Sequence, residues 1–153
     1  MTAYGVGLVR DRLGWVDPVE ALRELGGVAR RRALLGLTSR KRLQRAVLRG
    51  QITRTGRGVY GLASADLARF RATELRGAAS HLSAATLHGW EVAYPVTCPW
   101  ITVPRNVGVP DQDDCFVFWA DLSEEDGPVT SPLRTVIDCA RRLEFGPALA
   151  VVA

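Results

Sequence analysis

The side chains best suited to bind a ligand are hydrogen-bond donors that recur along one short segment. Lys41, Arg45 and Arg49 are spaced at i, i+4 and i+8, with Arg42 and Gln44 beside them, so on a helix they form one continuous face. Arginine donates two hydrogen bonds to guanine O6 and N7. Glutamine donates one to adenine N7 and accepts one from adenine N6, and the cations also contact phosphates. The spacing therefore indicates a helix that enters the major groove of DNA.

The charge of the chain is concentrated around these residues. The formal net charge is only +4, but residues 26–57 contain ten basic side chains and no acidic one. Residues 1–25 contain three basic and four acidic side chains, and residues 58–153 contain seven and twelve. A basic segment joined to an acidic remainder indicates two surfaces with different partners. An arginine-rich surface that is merely solvated stays open as the alternative.

The elements that must position the basic face follow from local signals. Asp17 is a good N-cap residue, and Pro18 follows it at the first helical position. Thr38 or Ser39 can cap a later helix, and glycines follow both helices. The predicted elements are a helix from 17 to about 25, a second over 29–35, a third from 38 or 39 to about 49, and a hairpin over 52–62. Because the hairpin directly follows the third helix, we predict a winged helix-turn-helix over residues 17–62, preceded by an N-terminal extension over 1–16.

DNA contacts are predicted from each part of this domain. The third helix is expected to read bases, the second to contact phosphates, and the hairpin tip to reach the adjacent backbone or minor groove. The full predicted set is Arg30, Arg31, Arg32, Ser39, Arg40, Lys41, Arg42, Gln44, Arg45, Arg49, Arg54, Thr55 and Arg57. Leu48 lies among the cations on the helical wheel. It contacts a thymine methyl group, packs against a neighbouring helix, or is simply exposed to solvent, and these three alternatives stay open.

Residues 63–153 have the patterns of a small α+β domain. Helices are predicted from 64 or 66 to 76, over 80–89, from 131 to about 142 and over 145–153, and strands over 100–103 and 115–119. In the helix from 131, the apolar residues share one face, and they are Leu133, Val136, Ile137 and Ala140. The predicted fold class is therefore α+β: an N-terminal winged helix-turn-helix followed by a small α/β domain with a short sheet.

Other groups that could carry chemistry do not form a recognisable motif. His81 and His88 share a helix face, but no nucleophile motif and no third metal ligand accompanies them, so both are predicted to be packing or capping groups. The acidic runs 111–114 and 124–126 lack the spacing of a calcium loop, and the only lysine of the chain is Lys41. We therefore predict no enzymatic activity, no metal and no cofactor.

The sequence also predicts a cytoplasmic location. No stretch approaches eighteen consecutive apolar residues, and the N-terminus lacks a basic segment followed by an apolar one. Cys98, Cys115 and Cys139 are odd in number and widely spaced, which indicates reduced thiols rather than a disulfide framework. No membrane partner is expected.

Several segments resemble one known family. The stretch GGVARRRALLGLTSRKRLQRAVLRGQITRTGRGVYGL at 26–62 is similar to the winged-helix domain of AbiEi-family antitoxins of type IV toxin-antitoxin systems. The segments SHLSAATLHGWEV at 80–92, ITVPR at 101–105 and VTSPLRTVIDCAR at 129–141 resemble the central part of related actinobacterial proteins. The resemblance implies a transcriptional autorepressor that binds its own promoter and neutralises a nucleotidyltransferase-like toxin. It also implies that this chain lacks the endonuclease-like C-terminal domain of longer relatives.

Three functions follow as hypotheses. The first is a sequence-specific regulator that binds double-stranded DNA at its own operator. The second is a protein-interaction module whose acidic C-terminal half binds a cognate toxin, with DNA contact secondary. The third is a remnant of a nuclease-associated protein. The operator sequence and the oligomeric state are not predicted.

Overall fold

A computed structural model of the chain describes residues 7–55, 57–111 and 113–152. Within these ranges it has seven helices and two three-stranded sheets, so the predicted mixed α+β class is confirmed. The first six residues of the predicted extension, Gly56 of the predicted hairpin, Gln112 of the acidic run, and Ala153 of the predicted final helix lie outside the described residues. The chain divides into two compact units, Met1–Ala65 (unit 1) and Asp66–Ala153 (unit 2).

Unit 1 combines three helices with a small antiparallel sheet. Its elements are α1 (Pro18–Glu24), β1 (Val28–Arg30), α2 (Arg31–Leu35), α3 (Arg40–Leu48), β2 (Thr53–Arg54) and β3 (Val59–Gly61). The strand order is β1-β3-β2, and Tyr60 of β3 is opposite Ala29 of β1 and Arg54 of β2. The prediction of a helix over 29–35 is wrong at its first two residues, because Ala29 and Arg30 pair with β3 instead.

Local capping explains where α1 and α3 begin and where α3 ends. The carboxylate of Asp17 accepts a hydrogen bond of 2.9 Å from the amide of Val19, and the hydroxyl of Ser39 accepts one of 3.3 Å from the amide of Arg42. Gly50 follows α3 with a φ of 71°, a conformation that favours glycine because it has no Cβ. The predicted helix starts are therefore confirmed at both caps.

The core of unit 1 holds α3 in place. Leu22 of α1, Leu34 of α2 and Leu43 of α3 are 0–3% exposed and belong to one apolar cluster with Ile52 and Tyr60. Burying a leucine side chain contributes about 1.5–3 kcal/mol. Rotation of α3 would expose its apolar face, so this cluster fixes which face of α3 meets solvent.

Unit 2 has four helices and a mixed sheet among its described residues. Its elements are α4 (Leu67–Leu75), β4 (Ala78–Ala79), α5 (His81–Leu87), β5 (Trp100–Val103), β6 (Phe116–Trp119), α6 (Pro132–Arg142) and α7 (Phe145–Val152). The central strand β5 pairs with β4 antiparallel and with β6 parallel. The predicted helices and strands of this region are confirmed to within one or two residues; the strand β4 was not predicted.

The apolar residues predicted to share one face of α6 are not the residues that it buries. Thr135, Asp138 and Cys139 are the buried residues of α6, whereas Leu133 is 72% exposed and Ile137 36% exposed. The polar face is tolerated inside because its groups are satisfied: Thr135 Oγ1 bonds Thr130 Oγ1 at 2.8 Å, and both carboxylate oxygens of Asp138 accept from Arg134 Nε at 2.9 Å. No helix in the described part of the chain is long and apolar enough to cross a membrane.

Candidate nucleic-acid interface

The orientation of α3 presents its polar side to solvent. Leu43 and Ala46 are 3% and 4% exposed, while Lys41, Gln44 and Arg45 are exposed. Leu43 and Ala46 therefore form the inner face of α3, and Val47 beside them is partly buried. Leu48 is 81% exposed among the cations. Plain exposure of Leu48 is the alternative that the structure of the free protein supports.

One side of this face borders the hairpin. A cleft of about 180 Å³, here the hairpin-side cleft, lies between α3 and the β2–β3 hairpin, and it is lined by Arg31, Arg40, Leu43, Gln44, Val47, Arg54 and Tyr60. Its three arginines come from α2, α3 and β2. The guanidinium carbon of Arg54 lies 5.9 Å from the centroid of the Tyr60 ring, which stabilises this cation in position.

The other side of the face borders α1. A second cleft of about 180 Å³, here the α1-side cleft, is lined by Asp17, Pro18, Arg42, Arg45, Ala46, Arg49 and Gln51. Two of its three arginines, Arg42 and Arg45, belong to α3, and the third, Arg49, is the C-cap of this helix. The one acid of this cleft, Asp17, uses its carboxylate to cap α1. Each cleft can therefore hold an anion such as a phosphate group.

The cations on the exposed face of α3 and in the two clefts differ in whether they form an ion pair with a carboxylate. Arg42 forms an ion pair with Asp11, and its side chain is 38% exposed. Within residues 7–55 and 57–65, no carboxylate lies within salt-bridge distance of the exposed set Arg31, Arg40, Lys41, Arg45, Arg49 and Arg54. Their guanidinium and ammonium donors are therefore available to an anionic ligand.

The other predicted contact residues fall into two groups. Arg32 on α2 and Arg57 in the hairpin turn are exposed, as a phosphate contact requires, while Arg30 on β1 is half-buried. The hydroxyls of Ser39 and Thr55 have intramolecular roles: Ser39 caps α3, and Thr55 Oγ1 donates to the carbonyl of Val59 at 3.3 Å.

Three residues near the basic face were not predicted from the sequence. Tyr60 and Gln51 line the clefts, and Asp11 pairs with Arg42. The sequence contains a signal that could have found Tyr60, because Val59 and Tyr60 lie in a segment with the pattern of a hairpin strand. No local signal joins Asp11 to a residue 31 positions later.

The histidines of unit 2 are packing groups, as predicted. His81 is 6% exposed, its Nδ1 lies 2.8 Å from Ser80 Oγ, and its ring centroid is 4.3 Å from that of Phe118. Burial lowers the pKa of His81 to about 4. His88 Nε2 lies 2.9 Å from the carbonyl oxygen of Thr130. Among the described residues, no group of three or more His, Cys, Asp or Glu side chains could hold a metal ion.

Comparison of the chain with known proteins assigns no family to it. No model of a protein family matches the sequence, and no curated protein matches it at a significant level. The function of the chain is therefore inferred from the residues and the geometry described above.

Proposed function

We propose that the protein is a sequence-specific DNA-binding transcriptional regulator and that α3 of unit 1 enters the major groove. The observation that carries the proposal is the placement of an arginine-lined cleft on each side of the exposed face of α3. The major groove of B-DNA is about 12 Å wide, and a helix with its side chains is about 10–12 Å across. A helix in this groove therefore has a phosphate backbone on both sides, which matches two flanking clefts.

The order of the elements in unit 1 also supports the proposal. Three helices are followed by the β2–β3 hairpin, and β1, between α1 and α2, pairs with β3. This order is similar to that of winged helix-turn-helix domains, in which the last helix reads the groove and the hairpin contacts the adjacent backbone. We infer that α3 is the recognition helix and that the β2–β3 hairpin is the wing.

The geometry divides the proposed contacts into two roles. Lys41, Gln44 and Arg45 project from the middle of the exposed face and are the candidates for base contacts. The remaining cleft cations are the candidates for phosphate contacts, and they are Arg31, Arg40 and Arg54 on the hairpin side and Arg42 and Arg49 on the α1 side. Phosphate contacts set affinity and salt dependence, whereas base contacts set sequence preference.

Replacing Arg45 with alanine tests the division of roles. The binding site is first defined by footprinting on the promoter of the protein's own gene, and affinities are then measured on that site and on random DNA. Loss of a base contact costs about 1–3 kcal/mol on the specific site only. Arg23→Ala is the matched control, because Arg23 is an exposed arginine of the same unit that already pairs with Glu20. Equal losses on both DNAs would reject base reading by Arg45.

A second candidate function, neutralisation of a protein toxin, is favoured by the surface of unit 2. Large apolar side chains of α6 and α7 are 36–83% exposed, and they are Leu133, Ile137, Phe145, Leu149 and Val152. Exposed apolar patches mark protein interaction sites. We propose a nucleotidyltransferase-like toxin as the partner, because segments of the sequence resemble those of antitoxins. Co-purification with such a toxin encoded beside the gene, abolished by Phe145→Asp, would support this function, and independent migration of the two proteins would reject it.

A further inference from the structure

The segment before α1 is built into unit 1. Residues 10–16 form a tight hairpin, in which Arg10 pairs with Val16 and the amide of Asp11 donates to the carbonyl of Trp15 at 2.9 Å. Val16 is fully buried in the core, and its amide donates to the carbonyl of Leu37 at 2.9 Å. This N-terminal hairpin is therefore attached to the turn that precedes α3.

The carboxylate of Asp11 is fixed by the backbone of its own hairpin. Its Oδ1 accepts hydrogen bonds of 2.8 Å from the amides of Leu13 and Trp15. Its Oδ2 accepts from Nη2 of Arg42. The amide of Trp15 first, and then that of Leu13 and the charge of Arg42, hold the pKa of Asp11 below its ordinary range, against the opposing effect of burial. Asp11 is thus a rigid, ionised acceptor beside α3.

Arg42 lies at the edge of the α1-side cleft, and its side chain stays partly exposed. A guanidinium has five N–H donors, so the contact through Nη2 leaves donors for a second anion. We propose that Asp11 is a positioning residue, which holds the guanidinium of Arg42 at this cleft so that it binds a DNA phosphate. This inference rests on the proposed function of unit 1.

Fixing the side chain in advance has a calculable advantage. An arginine loses rotamer freedom when it binds a phosphate, and a partner that restricts it beforehand removes part of that loss. A fraction of the rotamer entropy of one arginine corresponds to a gain in affinity of roughly three- to tenfold. The negative charge of Asp11 acts in the opposite direction, since it repels phosphates. The two effects have opposite signs, and a mutant cycle separates them.

The test is a double-mutant cycle of Asp11→Asn and Arg42→Ala on the footprinted site. Asparagine keeps the side-chain oxygen that accepts from Leu13 and Trp15 but removes the charge. We expect the loss of positioning to outweigh the relief of repulsion, so that Asp11→Asn weakens binding by up to about tenfold. It should cause no loss when Arg42 is already alanine, because only the repulsion is then removed. Binding of Asp11→Asn that equals or exceeds that of the wild type, or an equal loss in both backgrounds, would overturn the inference.

A measurement without DNA tests the same contact separately. In proton–nitrogen NMR spectra of the free protein, the Arg42 Nη–H signals are assigned by their absence from Arg42→Ala, because Nη2 is the nitrogen that donates to Asp11. We expect a resolved, slowly exchanging signal in the wild type and an averaged one in Asp11→Asn, with the amide spectrum otherwise unchanged. An Arg42 signal identical in both proteins would overturn the inference. If the wild type binds no DNA at low salt, the proposed function fails as well, whereas DNA binding without coupling rejects the role of Asp11 alone.

Discussion

His81 gives unit 2 a stability that depends on pH. The residue begins α5 with a φ of 48°, and its ring packs against those of Phe118 and Trp100 at centroid distances of 4.3 and 5.6 Å. Burial lowers its pKa from 6.5 to about 4; the carboxylate of Asp138 opposes the shift, and the guanidinium groups of Arg142 and Arg134 add to it. The neutral imidazole is therefore the form that the folded unit stabilises.

The sign of the effect follows from proton binding. Between pH 6.5 and about 4, the unfolded chain binds a proton at His81 and the folded chain does not. The contribution of neutral His81 to the free energy of unfolding is therefore fully present above pH 6.5 and decreases as the pH drops towards 4. Because one pKa unit corresponds to about 1.36 kcal/mol, the loss contributed by His81 is about 2 kcal/mol at pH 5 and about 3 kcal/mol near pH 4.

The assay is urea unfolding of the wild type and His81→Asn between pH 7.5 and pH 4.5. Asparagine tolerates a positive φ and does not titrate. Three of the four tryptophans, Trp90, Trp100 and Trp119, belong to unit 2, so their fluorescence reports mainly on that unit. Protonation of carboxylates whose pKa is lowered in the folded protein, such as Asp126, destabilises both proteins at acid pH. This effect is the same in both and cancels in the difference. Parallel pH profiles for the two proteins would refute the reasoning.

Two further predictions concern the packing and the capping that position the elements. A Cβ on Gly77 would lie 2.3 Å from the carbonyl oxygen of Thr102, so Gly77→Ala should destabilise unit 2 by about 1–3 kcal/mol in urea unfolding. Gly108→Ala is the control and should be neutral, because a Cβ there would meet nothing within 4 Å. Similar unfolding midpoints for the two variants would contradict this prediction. Ser39→Ala removes the cap of α3 and should lower the free energy of unfolding of unit 1 by about 1 kcal/mol; unchanged melting of the NMR amide signals of unit 1 would show that the cap is dispensable.

Local signals were enough to predict the helices that carry the basic face. Asp17 and Ser39 cap through atoms two or three residues away, so their effect is written in the adjacent sequence. The short strand β1 gave no such signal, because its three residues are extended only through pairing with β3, about 30 positions later. The Asp11–Arg42 contact was missed for the same reason.

The face of α6 shows where hydrophobic patterning misleads. Leu133 and Ile137 form the apolar stripe of the sequence, yet the buried side carries Thr135 and Asp138. Patterning assumes that polar groups avoid the interior, but a polar group that is fully hydrogen-bonded can be buried. The partners that satisfy Thr135 and Asp138 become apparent only once the helix is packed.

The central claim, that unit 1 binds DNA through the two clefts beside α3, is tested most directly by a salt titration on the footprinted promoter site. Contact with about six phosphates predicts a slope near −5 for log K against log salt concentration. Arg40→Ala in the hairpin-side cleft and Arg49→Ala in the α1-side cleft should each reduce the steepness of the slope by about one. A slope near zero, or slopes that neither substitution changes, would contradict the account.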